Sequence, residues 1–520
     1  MRRALLGSPI LIVTILMAGC GGSGGISSAP PQPNALNGQY AFVVAGFDPS
    51  NNHVGIAGSF KANGLGQITA GEVDVNDNGV ISSSNAVAGS YAFDSTGDGS
   101  TGTIQLTNTV GSVAHALGFA FSLQTSGNFG QIMSLDTNNF VAAGTMQLQS
   151  SAVFTLSGMA GSYVGTFNGP TSFGPTSALG RFTLASSGTA SNIEFDRSVA
   201  GTSTGSVGQT TTGATIPSGF SGPDSNGRGT FTLNLSDTFG TTTQAFAYYA
   251  ITASRFVAVE NDANGNMTAD FSGQASIPAT AAGAGIFGIS GVDVAASNEV
   301  SAVGQLQILS ATPTLGTLNW DANDAGSPHS GIVQAGQTVV YDATTGRGTI
   351  AVNSGTSEGL ANTLVFYLSA PGAGFVLDGT TGASNTAMAG PMLAQATGPF
   401  NSTTDLPGVG IVRTRGNDAN NEVSLVGLFG TSTAGGYELE FYDRSVSSGV
   451  LSTNGPPIAN NAVAASLFGI DPNVGRGTFS FAFSSGSSTY AFYVIGPNQF
   501  YMIDLNPADG ASSVFFVSPQ

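Results

Sequence analysis

The chain has 520 residues, 75 of them Gly, with 41% hydrophobic and only 8% charged residues. That composition is poor in the helix formers Lys, Glu and Arg yet rich in apolar side chains, which excludes both a mainly helical protein and a disordered one. The formal charge of -18 and the single lysine, Lys61, exclude nucleic acid as a partner, because phosphate contacts need clustered Lys and Arg.

The chain opens with a signal peptide over residues 1–19. Arg2 and Arg3 form a positive n-region, Ala4 to Leu16 an apolar core too short for a comfortable membrane span, and small residues precede Cys20. Residues 20–36 then run GGSGGISSAPPQPN after the cysteine, a flexible Gly/Ser stretch stiffened by prolines, and read as a tether. Cys20 is the only cysteine, so neither a disulfide nor a thiolate metal cluster can form within the chain.

Met17-Ala18-Gly19-Cys20 resembles the lipobox of bacterial lipoproteins, with Met17 where Leu is usual. The resemblance implies cleavage before Cys20, diacylglycerol on its sulfur and an acyl chain on its new amino group. Two such attachments make anchoring stable. Gly21, where Asp would retain such a protein in the inner membrane, implies delivery to the outer membrane.

Beyond the tether the sequence repeats. An acid follows an apolar strand end at Val73-Asp74, Phe195-Asp196, Trp320-Asp321 and, one residue later, Phe441-Tyr442-Asp443. A turn recurs as Gly227-Arg228-Gly229-Thr230, Gly346-Arg347-Gly348-Thr349 and Gly475-Arg476-Gly477-Thr478, loosened to Gly97-Asp98-Gly99 in the first repeat. Asn52-His53-Val54, Asn298-Glu299-Val300 and Asn421-Glu422-Val423 form a third marker. Together they predict four tandem repeats of about 120 residues, over 37–150, 151–278, 279–396 and 397–520.

Within each repeat apolar and polar residues alternate, as in Phe231, Leu233 and Leu235, which predicts half-buried strands. The second repeat divides into eight, beginning near Tyr163, Ala178, Ser191, Ala214, Gly229, Gln244, Arg255 and Thr268. The fold class is therefore all-β, each repeat an antiparallel meander forming a small barrel or a sandwich, either alone or sharing a sheet with its neighbour. Interruption of the short strands by Gly argues against a transmembrane barrel.

Candidate chemistry is sparse. Asp74, Asn76 and Asn78, with Gly79, match the first half of a calcium loop, but Asn85 stands where the bidentate Glu belongs. Asx-rich hairpin turns explain the same residues without a metal. Gly201-Thr202-Ser203-Thr204-Gly205 fits a serine-hydrolase elbow but lacks the strand-to-helix setting, and Gly283 to Gly288 has dinucleotide-loop spacing but reads as a linker between repeats. His53, His115 and His329 fall at different points of their repeats, and the late acids Asp136, Glu260, Asp378 and Asp504 each end an apolar strand. No catalytic residue is assigned. Aromatics cluster on two strands of each repeat, and the adjacent pairs Tyr248-Tyr249 and Phe492-Tyr493 point to opposite faces of their strands, leaving one of each pair for a second surface.

The expectation is a non-enzymatic, membrane-anchored envelope lipoprotein that presents β-domains for binding or adhesion to a glycan or protein ligand. A structural or assembly role and a glycan-acting hydrolase are the alternatives. The body resembles repetitive Gly/Ser/Thr-rich β lipoproteins of bacterial envelopes.

Overall fold

A computed structural model describes residues 36–520 apart from connecting stretches, of which 109–116, 201–213, 353–362 and 455–462 are the longest. Cys20, the tether, the Gly97-Asp98-Gly99 turn, His115, Asp136 and the elbow-like Gly201 to Gly205 lie outside the described residues. The described chain is strand and turn except for two short helical turns, Ser151–Val153 and Leu156–Met159, between the first and second repeats.

Alternation dictates the architecture. On the first strand, Asn37–Phe47, the side chains of Tyr40, Phe42 and Val44 join one apolar cluster, while Ala41 and Val43 join another on the opposite face. Eight such strands, ending with Val141–Leu148, pair each with the next, and the last with the first, to close an antiparallel barrel. The third repeat closes in the same way between Gly283–Val292 and Ala387–Ala394, so the Gly283 to Gly288 stretch is a barrel strand rather than a linker.

The second and fourth repeats depart from this plan at their fourth strand. In the second, seven of the eight expected strands form, and the segment expected near Ala214 makes only two isolated bridges, Thr215 to Asn234 and Phe220 to Phe231. Its sheet stays open between Ala190–Val199 and Arg228–Asp237. In the fourth repeat the position is split into Val450–Asn454 and Val463–Ile470, which both pair with Tyr437–Ser447. That strand also pairs with Asn421–Thr431, so the nine-stranded sheet returns on itself.

Barrels of this size are filled by side chains. Phe42 packs edge-on against Phe119 at 5.5 Å, and Phe256 stacks on Phe271 at 4.5 Å in the second repeat. Burying each such ring contributes roughly 1.5–3 kcal/mol, which lets four cores stand without disulfides.

Four smaller clusters lie between repeats. Ala41 and Ala57 meet Tyr249 and Val259, Val164 and Leu179 meet Tyr367 and Leu377, Ile286 and Val303 meet Tyr493 and Ile503, and Ala120 and Met133 meet Val426 and Tyr442. The contacts run first to second, second to third, third to fourth and fourth back to first. The four repeats therefore form a closed ring.

Candidate ligand site at the centre of the ring

The two sequence markers meet across the joints. Arg228 donates to Asp74 through Nε and Nη2 at 2.7 and 2.8 Å, and the Tyr249 hydroxyl donates to the same carboxylate at 2.6 Å. Arg347 reaches Asp196 at 2.8 and 2.7 Å with Tyr367 at 2.7 Å. Arg476 reaches Asp321 at 2.8 and 2.6 Å with Tyr493 at 2.7 Å. In each case the acid of one repeat is gripped by the Arg and Tyr of the next, in the bidentate geometry that makes Arg–carboxylate pairs strong. Burial first, and the facing Asp second, hold the three tyrosine hydroxyls protonated well above their usual range.

A third recurrent residue, missed in the sequence, completes these joints. Gln149, Gln274 and Gln395 donate from Nε2 to the carbonyls of Ala250, Leu368 and Val494 at 2.6, 2.7 and 2.8 Å. Each also reaches the turn that precedes the Arg. Gly227, Gly346 and Gly475 in that turn sit at φ +76°, +77° and +75°, and a Cβ on any of them would press on the Gln amide. A spacing of 125 and 121 residues, close to the 122 and 125 of the acid marker, was the available signal.

The fourth joint differs. By strand register Asp74 faces Ala57, Asp196 faces Leu179 and Asp321 faces Val303, while Tyr442 faces Val426. Tyr442, rather than Asp443, thus occupies the acid's place. On the other side Thr101, paired with Ser122, stands where Arg and Tyr stand elsewhere. The chemistry is inverted: the Tyr442 hydroxyl donates to Asp94 of the first repeat at 2.5 and 2.6 Å, and Thr101 donates to the same carboxylate at 2.8 Å.

The expected calcium residues belong to the first joint. Asp74 is occupied by Arg228 and Tyr249, and Asn76 donates to the carbonyls of Glu260 and Gly265, both at 2.9 Å. Asn78 takes φ +49° in the hairpin turn. Among the described residues no three His, Cys, Asp or Glu side chains gather as a metal would need. The late acids do not converge either. Glu260 accepts from the Met267 N–H at 3.0 Å, Asp378 from Thr386 at 2.8 Å and Asp504 from the Asn506 N–H at 2.8 Å, each fastening the turn after its own strand.

At the ring's centre the first and last strands of all four repeats border a cavity of about 480 Å³. Ala45, Gly144, Gly291 and Ala389 are among its small lining residues. Thr145, Asn168, Thr268 and Ser290 give it a polar wall, and Phe47, Phe375, Tyr501 and Phe516 an aromatic one. The Tyr501 ring lies against Gly288 of the third repeat, where a Cβ would come within 2.9 Å of it, and packs 4.9 Å from Phe516. Burial pushes the Tyr501 hydroxyl up, so it is a hydrogen-bond donor at neutral pH. Asp270, also in the wall, is paired with Arg255 at 2.8 Å.

No family model and no curated protein matches the chain. Among solved structures it is similar to isotype 1 transferrin-binding protein B from serogroup B Neisseria meningitidis, with 10% identity over 76% of this chain and 85% of that one and a TM-score of 0.18. It is also similar to a mutant of the vaccine antigen transferrin-binding protein B from Haemophilus parasuis, with 10% identity over 96% and 99% of the two chains and a TM-score of 0.19. At those TM-scores neither likeness bears on fold or function.

Proposed function

We propose that the protein is a non-enzymatic lipoprotein of the outer membrane, anchored through Cys20, whose ring of four β-repeats is carried beyond the lipid by the tether as a ligand-binding body. The observation that carries this reading is the central cavity, because one space bordered by all four repeats gives the repetition a use that four separate barrels would lack. It is concave and mixes apolar with polar groups, as small-molecule sites do. The glycan-hydrolase alternative finds no support in the late acids, since Glu260, Asp378 and Asp504 each fasten a turn in a different repeat.

Two measurements test the proposal. Metabolic labelling with palmitate, followed by membrane fractionation, should place label on the wild-type chain in the outer membrane and none on Cys20→Ala; equal labelling of both refutes the anchor. A glycan array probed with the mature chain should return saturable ligands, whereas turnover of a bound glycan would overturn the non-enzymatic reading.

A further inference from the structure

We propose that the central cavity binds a short uncharged saccharide, with Asp270, Thr268 and Ser290 meeting its hydroxyls and Tyr501 with Phe516 covering a ring face. The inference rests on the ring being a ligand-binding body and deepens that reading. A volume of about 480 Å³ falls within the range of small-molecule pockets.

The wall selects among ligand classes. Thr145, Asn168, Thr268 and Ser290 come from three repeats and offer both donors and acceptors, which suits a polyol and not an acyl chain. The first and last strands of the closed first and third barrels are hydrogen-bonded on both sides, so they offer no free edge for an extended peptide. Asp270 in the wall has its charge cancelled by Arg255 at 2.8 Å, which suits an uncharged ligand. Arg413, which also borders the cavity, is already engaged. The tilted Tyr501 and Phe516 rings supply an apolar face against which the C–H side of a sugar ring packs.

Calorimetry and saturation-transfer NMR on the full chain, with cellobiose, diacetylchitobiose and digalacturonate as probes, decide the matter. At least one neutral disaccharide should saturate the chain. Asp270→Asn and Thr268→Val should each weaken it about tenfold, and Ser290→Phe, which fills the space, should abolish it while the thermal melt stays in place. The inference falls if neither neutral disaccharide saturates, or if digalacturonate binds more tightly than both. Should the array yield a ligand whose affinity is indifferent to Ser290→Phe and Thr268→Val, the binding role stands and the cavity assignment fails.

Discussion

Asp196→Asn tests how the ring is held together. Asp196 and Arg347 are 1% and 16% exposed at the joint between the second and third repeats, and the carboxylate takes two bonds from the guanidinium and one from Tyr367. The amide keeps the shape but leaves a guanidinium in a largely dry interface without its counter-charge. Removing one partner of a buried pair costs about 3–5 kcal/mol, whereas replacing both by apolar residues is close to neutral. Asp196→Leu combined with Arg347→Met should therefore be much milder than Asp196→Asn alone. Hydrogen exchange read on Ala190–Val199 and Thr363–Ala370 reports opening of this joint separately from unfolding of the barrels. A cost below about 1 kcal/mol for the single change would mean a solvent-screened surface pair and refute the reasoning.

Other expectations follow from single groups. Glu260 is fully buried, and burial, helped by Asp262, raises its pKa from 4.5 to about 8. Because the folded state holds this proton more tightly, its contribution is complete below pH 4.5 and is lost as pH rises towards 8. Denaturant midpoints should fall across that window and stay flat in Glu260→Gln; an unchanged slope in the variant would count against the assignment. Tyr442→Phe removes the bond to Asp94, and the fourth joint should open more readily in hydrogen exchange by about 1.5–3 kcal/mol. Gly288→Ala drives a methyl into the Tyr501 ring and should lower the melting temperature through a cost of about 1–3 kcal/mol. Calcium or a chelator should leave the melt unmoved, because Asp74 is held by Arg228 and Tyr249; a clear calcium-dependent rise would contradict that.

The all-β class was legible because alternation along Phe231, Leu233 and Leu235 is a local signal. The acid and Gly-Arg-Gly-Thr markers were equally visible as repeats, but their partnership was not. Asp74 and Arg228 lie 154 residues apart in different repeats, and only the packing of barrel on barrel brings them together. The unused face of each aromatic pair is explained in the same way, since Tyr248 enters its barrel while Tyr249 enters the joint. The missing strand near Ala214 misled because its alternation is satisfied by two bridges. The cavity was invisible in the sequence, for it is bordered by residues scattered over four repeats that share no motif.

The odd fourth joint follows from the problem of ending a head-to-tail array. The second and third repeats each carry an acid face and an Arg–Tyr face, and such heterologous contacts run on into filaments unless they close. If the fourth repeat offered an Asp and the first an Arg, the closing surfaces would match those of any other copy. Instead Tyr442 stands in the acid's place, and Thr101 with Ser122 stands opposite. A Tyr442 face laid on the Arg347 face of another chain would bury a guanidinium without a carboxylate, at about 3–5 kcal/mol. An Asp321 face laid on the first repeat would meet Asp94, a second acid. Only the fourth repeat on the first satisfies both sides, with Tyr442 and Thr101 donating to Asp94. The residues that break the repeat thus favour the closed ring over the open chain, and closure is what encloses the central cavity.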